Sequence, residues 1–106
     1  IAKQIAESID SCDYLPFSDI PWYKFSSATA TKEHSIKFLS EKLNIKIEEI
    51  VAFGDDFNDI GMLKFCGTGV AMQNAIPQVK EIADVITKTN NDDGVAKYIE
   101  ENILNN

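Results

Sequence analysis

The chain has 106 residues, of which 44% are hydrophobic and 25% charged, and its net charge is −7 at pH 7. Ten basic residues against seventeen acidic ones leave no basic patch for nucleic acid or an anionic membrane, and this balance favours cationic partners such as metal ions. No apolar run approaches the ~20 residues of a membrane span, so we expect no membrane partner. A chain of this size and composition can bury its own core, as one domain or as a piece of a larger one.

Cys12 and Cys66 are the only cysteines. They show neither a paired spacing nor a ligand cluster, which favours two reduced thiols over a disulfide. Since no signal peptide opens the sequence, we expect a cytoplasmic protein. The first residue is Ile1, already inside a helical pattern, and we therefore expect an excerpt from a longer protein.

The first part of the chain predicts one helix and two strands. Apolar residues at helical spacing from Ile1 to Cys12 predict an amphipathic helix. Two aromatic-rich runs, DYLPF at 13–17 and PWYKFS at 21–26, predict strands whose prolines occupy edge or turn positions. The small polar linker SATAT follows, and the character of the chain changes there.

From Thr31 onward, helical and strand patterns alternate. A helix is predicted from about Lys32 to Leu43, with Asn44 suited to its left-handed C-terminal position and an apolar stripe formed by Ile36, Leu39 and Leu43. Strands are predicted near 50–54, 68–72 and 84–87; the first is an apolar run without alternation, as in a strand buried on both faces, and the second is predicted to be buried as well. Pro77 suits the first position of a helix, and a closing helix carries Val95, Ile99 and Ile103 on one face. This alternation predicts an α/β fold with a parallel sheet covered by helices.

An acidic turn follows the first of these strands. Asp55 comes directly after Gly54, which lets the backbone turn sharply, at the strand end where ligands gather in such sheets. If Asp59 lies in the first turn of the next helix, its carboxylate can point back toward Asp55. The two charges then repel each other unless a cation lies between them. Mg²⁺ fits this pattern, because it takes one or two protein carboxylates and completes its shell with water and substrate phosphate.

Helix capping is the alternative interpretation of the acidic turn. One aspartate is enough to cap the helix and complement its dipole, at about 0.5–2 kcal/mol, and Asp56 is assigned to that role. Asp55 and Asp59 are then left for the metal. A calcium EF-hand is excluded because, in a loop that starts at Asp56, Ile60 and Gly67 occupy ligand positions.

Lys32 begins its predicted helix, with Thr31 as the N-cap. A cation there opposes the helix dipole by about 0.3–1 kcal/mol, which a solvated lysine tolerates, and this is the simpler interpretation of Lys32 alone. Beside an acidic metal site, Lys32 could instead bind a phosphate or neutralise an aspartate at the same end of the sheet. His34, the only histidine, is interpreted as a surface or packing residue.

Four segments together resemble the C-terminal half of Cof-type haloacid-dehalogenase-like phosphatases: Lys32 at the start of a helix, VAFGDDFNDIGML, GVAMQNAIPQVKEIADVIT and DDGVAKYI. The similarity covers roughly residues 22–104, and the G-D-x-x-N-D stretch within it is specific. The resemblance implies a Rossmann-like parallel sheet covered by helices, with residues 27–106 as the C-terminal half of the core domain. It implies that residues 1–26 are the end of an inserted α+β cap domain.

The resemblance also implies an activity and its residues. Members of the family use a Mg²⁺-dependent aspartate nucleophile to hydrolyse small phosphorylated metabolites, sugar phosphates among them, through an aspartyl-phosphate. Lys32 matches the lysine that steadies nucleophile and phosphate, Asp55 the acidic Mg²⁺ ligand, and Asp59 the second acidic position at the metal. Asn58 and Asn74 match asparagines that contact the phosphoryl group or lie near the pocket.

Two departures from the family pattern accompany the match. Glu33 and Gln73 stand where glycine is common in the family, so the resemblance does not determine the backbone conformation at these two positions. No D-x-D, the motif that carries the nucleophile, occurs anywhere in the 106 residues, and the Ser/Thr phosphate-binding motif is missing as well. We therefore expect the complete protein to be a phosphatase and this chain alone to be inactive.

Two other classes of function compete with the enzyme. A non-catalytic α/β module that binds a divalent metal would need no nucleophile, and a D-x-D strand upstream of the cap would exclude it. A phosphoacceptor domain of the response-regulator type also combines an acidic Mg²⁺ pocket with a lysine. In that type the acidic pair comes first and the lysine late, which is the reverse of the order here.

Overall fold

The computed structural model describes residues 1–19, 21–28 and 30–104. These residues form five helices and five strands, in the order α1 (Ala2–Glu7), β1 (Cys12–Pro16), β2 (Tyr23–Ser27), α2 (Lys32–Leu43), β3 (Val51–Gly54), α3 (Ile60–Phe65), β4 (Thr68–Met72), α4 (Pro77–Ile82), β5 (Val85–Thr87) and α5 (Gly94–Ile99). Short 3₁₀ turns occupy Ile47–Glu49, Phe57–Asp59 and Asn90–Asp92, and a π-helical turn, Glu100–Leu104, extends α5.

A three-stranded parallel sheet, in the order β3-β4-β5, forms the centre of the described chain. Val51 pairs with Thr68, and Val70 pairs with Val85. Each crossover contains one helix, α3 and then α4, as parallel neighbours require. The predicted α/β class and the three predicted strands are confirmed.

Helices cover both faces of this sheet. Ala52 of β3 packs with Leu63 of α3 and Val79 of α4 in the main core cluster. The next residue, Phe53, points to the opposite face, because side chains alternate along a strand. There its ring meets Tyr98 of α5 edge to face, with centroids 5.5 Å apart. The apolar runs of β3 and β4 reflect this burial on two sides, whereas Val85 and Ile86 of β5 are exposed.

β1 and β2 form a separate antiparallel hairpin, in which Leu15 lies opposite Lys24 and Asp13 opposite Ser26. Because side chains alternate, these four share one face of the hairpin, and Tyr14 lies on the other. The predicted pair of strands is confirmed, with bounds moved by one or two residues. The linker predicted at 27–31 overlaps β2 at Ser27, and its Thr29 lies outside the described residues.

The helix predicted from Ile1 to Cys12 is wrong in its length. α1 ends at Glu7, where the Ser8 hydroxyl donates to the carbonyl of Ile5 at 2.6 Å. Ser11 then has φ = 57°, a left-handed conformation that a continuing helix excludes, and Cys12 already belongs to β1. A serine side chain that bonds a nearby carbonyl competes with helical hydrogen bonding, and apolar spacing does not reveal this competition.

α2 has the predicted bounds and caps, but only Ile36 of its predicted apolar stripe packs against the core. Thr31 accepts a hydrogen bond from the backbone of His34, and Asn44 adopts the left-handed conformation at the other end. Ser40 is the buried residue of the helix, whereas Leu39 and Leu43 are 55% and 64% exposed. The packing of α2 against α3 therefore selects a face next to the one that the stripe predicted.

Both cysteines are unpaired, with Cys66 buried in the core and Cys12 half-buried in β1. Burial raises the pKa of Cys66. Among the described residues, no helix has the length and apolar character that crossing a bilayer requires.

Candidate active site

The acidic turn lies at the carboxyl end of β3, as the sequence predicts. Gly54 is the last residue of the strand, and Asp55 is the first residue beyond it. Gly54 does not have a positive φ, so the expectation that it permits a sharp turn is wrong. A Cβ at Gly54 would lie 2.5 Å from the Cβ of Asp59, and glycine is required because Asp59 approaches so closely.

Asp59 is the centre of the site, and it is only 4% exposed. Its Oδ2 accepts hydrogen bonds from the backbone N–H groups of Asp55 at 2.9 Å and Asp56 at 3.2 Å. Its Oδ1 forms a salt bridge with Nζ of Lys32. Both carboxylate oxygens therefore have protein partners, and one buried side chain joins the start of α2 to the acidic turn.

Lys32 reaches the acidic turn from the first residue of α2, across 27 positions of sequence. Its side chain is 48% exposed, so the ammonium group can bind Asp59 and still meet a solvent-borne ligand. The predicted placement of Lys32 with the aspartates at one end of the sheet is confirmed. His34 is exposed beside Thr31, as the sequence interpretation has it.

Asp56 has the capping role that the sequence assigns to it. It is the N-cap of the 3₁₀ turn, and its Oδ1 accepts the Phe57 N–H at 2.7 Å. Its other oxygen, Oδ2, accepts a hydrogen bond from the hydroxyl of Ser18 at 2.9 Å. Because Ser18 lies in the β1–β2 loop, this bond ties the hairpin to the acidic turn, a contact that sequence reasoning missed.

The two predicted asparagines lie in different places. Asn58 is exposed in the 3₁₀ turn between Asp55 and Asp59, and it lines the same space as Lys32. The side-chain oxygen of Asn74 accepts the backbone N–H of Asn90 at 3.2 Å, and so it joins the loop after β4 to the turn before α5. Asn74 does not line the described space around Asp55.

The two central carboxylates have opposite pKa shifts. Burial raises the pKa of Asp55 above its usual value, and the neighbouring Asp59 charge raises it further. For Asp59, burial alone would raise the pKa, but the hydrogen bond from Lys32 and the two backbone N–H groups outweigh it and lower the pKa. Asp59 is therefore an ionised carboxylate whose charge is stabilised by Lys32 and two backbone N–H groups. The charge of Asp55 is less well stabilised, and a bound cation would provide the missing stabilisation.

Two connected spaces adjoin these residues. A recess of about 280 Å³, here called the acidic recess, is lined by Lys32 and the acidic turn on one side and by the hairpin on the other, with Leu15, Pro16, Phe17 and Lys24 contributing. A larger cavity of about 720 Å³, here called the hairpin cavity, lies between the hairpin and helices α2 and α3. Leu15, Lys24, Lys32 and Asn58 line both spaces. The contribution of the hairpin is a second feature that sequence reasoning missed. Leu15 and Lys24 lie in the two strands that the sequence predicted, but nothing in the sequence placed those strands beside the acidic turn.

The acidic recess could bind a hard divalent cation through the oxygen atoms of one carboxylate. In residues 1–19, 21–28 and 30–104, no three His, Cys, Asp or Glu side chains are grouped as a metal site. Asp55 has an exposed carboxylate with a raised pKa, whereas both oxygens of Asp59 are engaged. Mg²⁺ commonly takes one or two protein carboxylates and completes its shell with water and phosphate oxygens. The residues therefore fit a Mg²⁺ site to which this chain contributes mainly Asp55.

The chain is similar to known proteins over most of its length. A family model described as haloacid dehalogenase-like hydrolase matches residues 2–99. The phosphatase YwpJ of Bacillus subtilis is 47% identical over 74 residues, which are 70% of this chain and 26% of YwpJ. The 5-amino-6-(5-phospho-D-ribitylamino)uracil phosphatase YitU of the same bacterium is 41% identical over 83 residues, 76% of this chain and 31% of YitU.

The fold is also that of solved structures. The subclass IIB sugar phosphatase BT4131 superposes with a TM-score of 0.82 at 33% identity, over 92% of this chain and 37% of that one. The chain thus spans about a third of the length of the relatives that it matches. Because the family model covers nearly all of these residues, the chain belongs to the haloacid dehalogenase-like hydrolases, in the Cof-type group that the sequence resembles.

Proposed function

We propose that this chain is part of a Mg²⁺-dependent phosphatase that acts on small phosphorylated metabolites, with sugar phosphates as the first class to test. The observation that carries the proposal is the convergence of Lys32, Asp55 and Asp59 at the carboxyl end of β3. A parallel sheet offers this edge to ligands. The names of the relatives YwpJ, YitU and BT4131, all phosphatases, support the same class of reaction.

Each residue of the site has a proposed role. Lys32 binds a phosphoryl oxygen with the donors that its bond to Asp59 leaves free, and it stabilises charge that develops on the phosphoryl group. Asp59 is a positioning residue, because it holds both the Lys32 ammonium and the Asp55 backbone. Asn58 contacts the phosphoryl group from the 3₁₀ turn. Asn74 has the weaker role of fixing the loop after β4 near the pocket.

Asp55 is the proposed ligand of Mg²⁺. When bound, the ion would supply positive charge to the phosphoryl oxygens. The raised pKa of Asp55 supports this role, because a nearby cation removes the repulsion from Asp59 that contributes to the shift. The aspartate nucleophile of the family, and hence the aspartyl-phosphate, would come from a segment other than these 106 residues, which contain no D-x-D.

The remaining expectations are proposals of the same kind. Residues 1–26 would belong to a cap domain and residues 27–106 to the core domain, in keeping with the separate hairpin and parallel sheet. The net charge of −7 argues against nucleic acid or an anionic membrane as partner. The unpaired cysteines suit a reducing compartment such as the cytoplasm.

The direct test is Asp55→Asn in protein expressed from the complete reading frame. A neutral amide is a poorer ligand for a hard cation, so the Mg²⁺ concentration that gives half-maximal p-nitrophenyl phosphate hydrolysis should rise at least about tenfold and kcat should fall. Asp19→Asn, in the exposed β1–β2 loop, is the matched control. If Asp55→Asn retains normal turnover at the same Mg²⁺ concentration, Asp55 is not the metal ligand.

The second candidate is a module that binds a divalent metal without catalysis. The absence of D-x-D from these residues favours it for the chain taken alone. Mg²⁺ binding by the complete protein, without hydrolysis of any phosphate monoester, would support this candidate over the phosphatase.

A further inference from the structure

Lys24 is the one cation that the hairpin presents to the proposed site. It lies on the hairpin face shared by Asp13, Leu15 and Ser26, and it lines both the acidic recess and the hairpin cavity. A ligand that has its phosphoryl group in the acidic recess and the rest of its structure in the hairpin cavity must therefore pass beside Lys24.

Lys24 and Lys32 differ in what they bind within the protein. Lys32 is held by the buried carboxylate of Asp59. In the described ranges 1–19, 21–28 and 30–104, the salt bridges are Lys32 with Asp59 and Lys3 with Glu7, and Lys24 takes part in neither. An exposed lysine on a strand can serve solubility alone. Lys24, however, lies where the acidic recess meets the hairpin cavity. Its ammonium group, which forms no salt bridge in the described residues, is therefore next to the space that a ligand would occupy.

The distribution of charge limits where an anion can bind in the hairpin cavity. Asp13 and Glu33 line the hairpin cavity but not the acidic recess, so the far part of the cavity carries negative charge. A second anionic group deep in the cavity would meet these carboxylates, whereas one close to the phosphoester would lie near Lys24. Lysine is a compact cation that binds carboxylate and phosphate groups as a point charge.

We propose that Lys24 is a specificity-determining residue that selects phosphate esters with a second anionic group, a carboxylate or another phosphate, within a few bonds of the scissile ester. This inference rests on the proposed function and names a substrate class for the same site. Leu15, directly opposite Lys24, would contact the carbon skeleton, and the Ser26 hydroxyl would be free to bond hydroxyl groups of the substrate.

The test compares two substrates in protein from the complete reading frame. Lys24→Met keeps the length of the side chain and removes its charge. For 2-phosphoglycolate, which has a carboxylate beside the ester, KM should rise about tenfold or more, because a hydrogen bond to a charged group is lost. For ethyl phosphate, which has no second anion, kcat/KM should change by less than about twofold. Lys24→Arg should restore most of the 2-phosphoglycolate preference.

Two controls separate this role from a structural one. Lys37→Met removes an exposed lysine of α2 that lines neither space, and it should affect neither substrate. The Mg²⁺ concentration for half-maximal activity should be the same in Lys24→Met and wild type. An equal loss with both substrates, or no loss with either, would overturn the proposal.

Failure of the proposed function gives a different result. If the wild-type protein hydrolyses no phosphate ester, the phosphatase proposal fails, and Lys24 is then tested by binding. The dissociation constants of 2-phosphoglycolate and ethyl phosphate, measured by NMR titration, should differ at least about tenfold in the wild type and converge in Lys24→Met. Equal affinities in the wild type, or no binding of either probe, would refute the role of Lys24.

Discussion

The Asp59 carboxylate shows how one residue can organise a site without being open to a ligand. It is buried, both oxygens accept hydrogen bonds, and its partners come from α2 and from the turn after β3. A buried carboxylate is stable only when it is paired in this way, since the loss of hydration must be offset by bonds to the charged form. The same contacts fix the direction of the Asp55 backbone and the position of the Lys32 ammonium.

This arrangement predicts a pH-dependent contribution of Asp59 to stability. The pKa of Asp59 is lowered on folding, so the stabilisation is present above its unfolded pKa of about 3.9 and is lost as the pH falls through the lower folded pKa. Asp59→Asn should reduce the free energy of unfolding by about 1–3 kcal/mol at pH 7. Solvent at the half-exposed Lys32 screens the pair and keeps the loss below that of a fully buried pair.

Urea denaturation of wild type and Asp59→Asn at pH 7 and at pH 2.5 measures this contribution. The difference between the two proteins should shrink at pH 2.5, because the pH is then below the unfolded pKa of about 3.9 and part of the stabilisation from the carboxylate charge is lost. Asp19→Asn, at an exposed position, should have little effect at either pH. A loss of the same size at both pH values would mean that shape, and not charge, accounts for the role of Asp59.

The sequence predicted the residues of the acidic turn better than their contacts. Spacing placed Asp55, Asp56 and Lys32 at one end of the sheet, because strand ends and helix starts are local features. It did not show that Gly54 is needed to admit the Asp59 side chain, or that Ser18 binds Asp56. Both contacts depend on distances between segments, and a hairpin 38 positions away leaves no periodic signal near the turn.

At the scale of elements, two glycines mark places where segments approach closely for different reasons. A Cβ at Gly61 of α3 would lie 1.5 Å from Oε2 of Glu33, the flexible end of a side chain on α2. A Cβ at Gly67 would lie 2.2 Å from the backbone carbonyl oxygen of Glu48. The Glu33 side chain is therefore accommodated by a glycine across the contact between α2 and α3.

These contacts predict opposite outcomes for two alanine substitutions. Gly61→Ala should be neutral or stabilising by up to about 1 kcal/mol, because alanine favours a helix and the Glu33 carboxylate can move toward solvent. Gly67→Ala should destabilise by about 1–3 kcal/mol, because the obstacle is backbone. The urea midpoints of the two variants and wild type give the comparison. Equal destabilisation by both would show that Glu33 is fixed in place.

Periodicity predicted the central elements well and the peripheral ones less well. β3, β4 and β5 are short and apolar, so their sequences have one interpretation as strands, although Val85 and Ile86 of β5 are exposed in the described chain. The length of α1 and the buried face of α2 were harder to predict. Apolar spacing identifies one face of a helix, but it does not show whether another element packs against that face. Leu39 and Leu43 fit the helical period and are nevertheless exposed in the described chain, where Ser40 packs instead.

At the scale of the whole molecule, the candidate site draws on the hairpin, α2, the turn after β3 and the start of α3. The hairpin contributes Lys24 and Ser18, α2 contributes Lys32, and the turn after β3 contributes the aspartates. The hairpin and the sheet thus form one surface around the acidic recess. What these residues lack is the D-x-D motif that carries the proposed nucleophile.

The last prediction follows from that absence. The 106-residue chain alone should not hydrolyse p-nitrophenyl phosphate above the buffer rate, even with excess Mg²⁺. Covalent catalysis needs a positioned nucleophile, and loss of one member of a cooperating set costs several orders of magnitude. Asp59 and Asp56 have both oxygens engaged by hydrogen-bond donors, and Asp55 is the proposed metal ligand. Asp56 and Asp59 could act as the proposed nucleophile only by giving up these contacts, and Asp55 only by leaving its proposed place at the metal.

The assay needs chain whose mass confirms 106 residues, because a trace of longer protein would mimic activity. Asp55→Asn in the same chain is the control for metal-dependent background, and NMR titration with Mg²⁺ should still show weak binding near Asp55 in the unsubstituted chain. Turnover by the verified chain that disappears in Asp55→Asn would reveal a nucleophile within these residues. That result would contradict the proposal that this chain binds the metal and the phosphate while another segment supplies the nucleophile that attacks phosphorus.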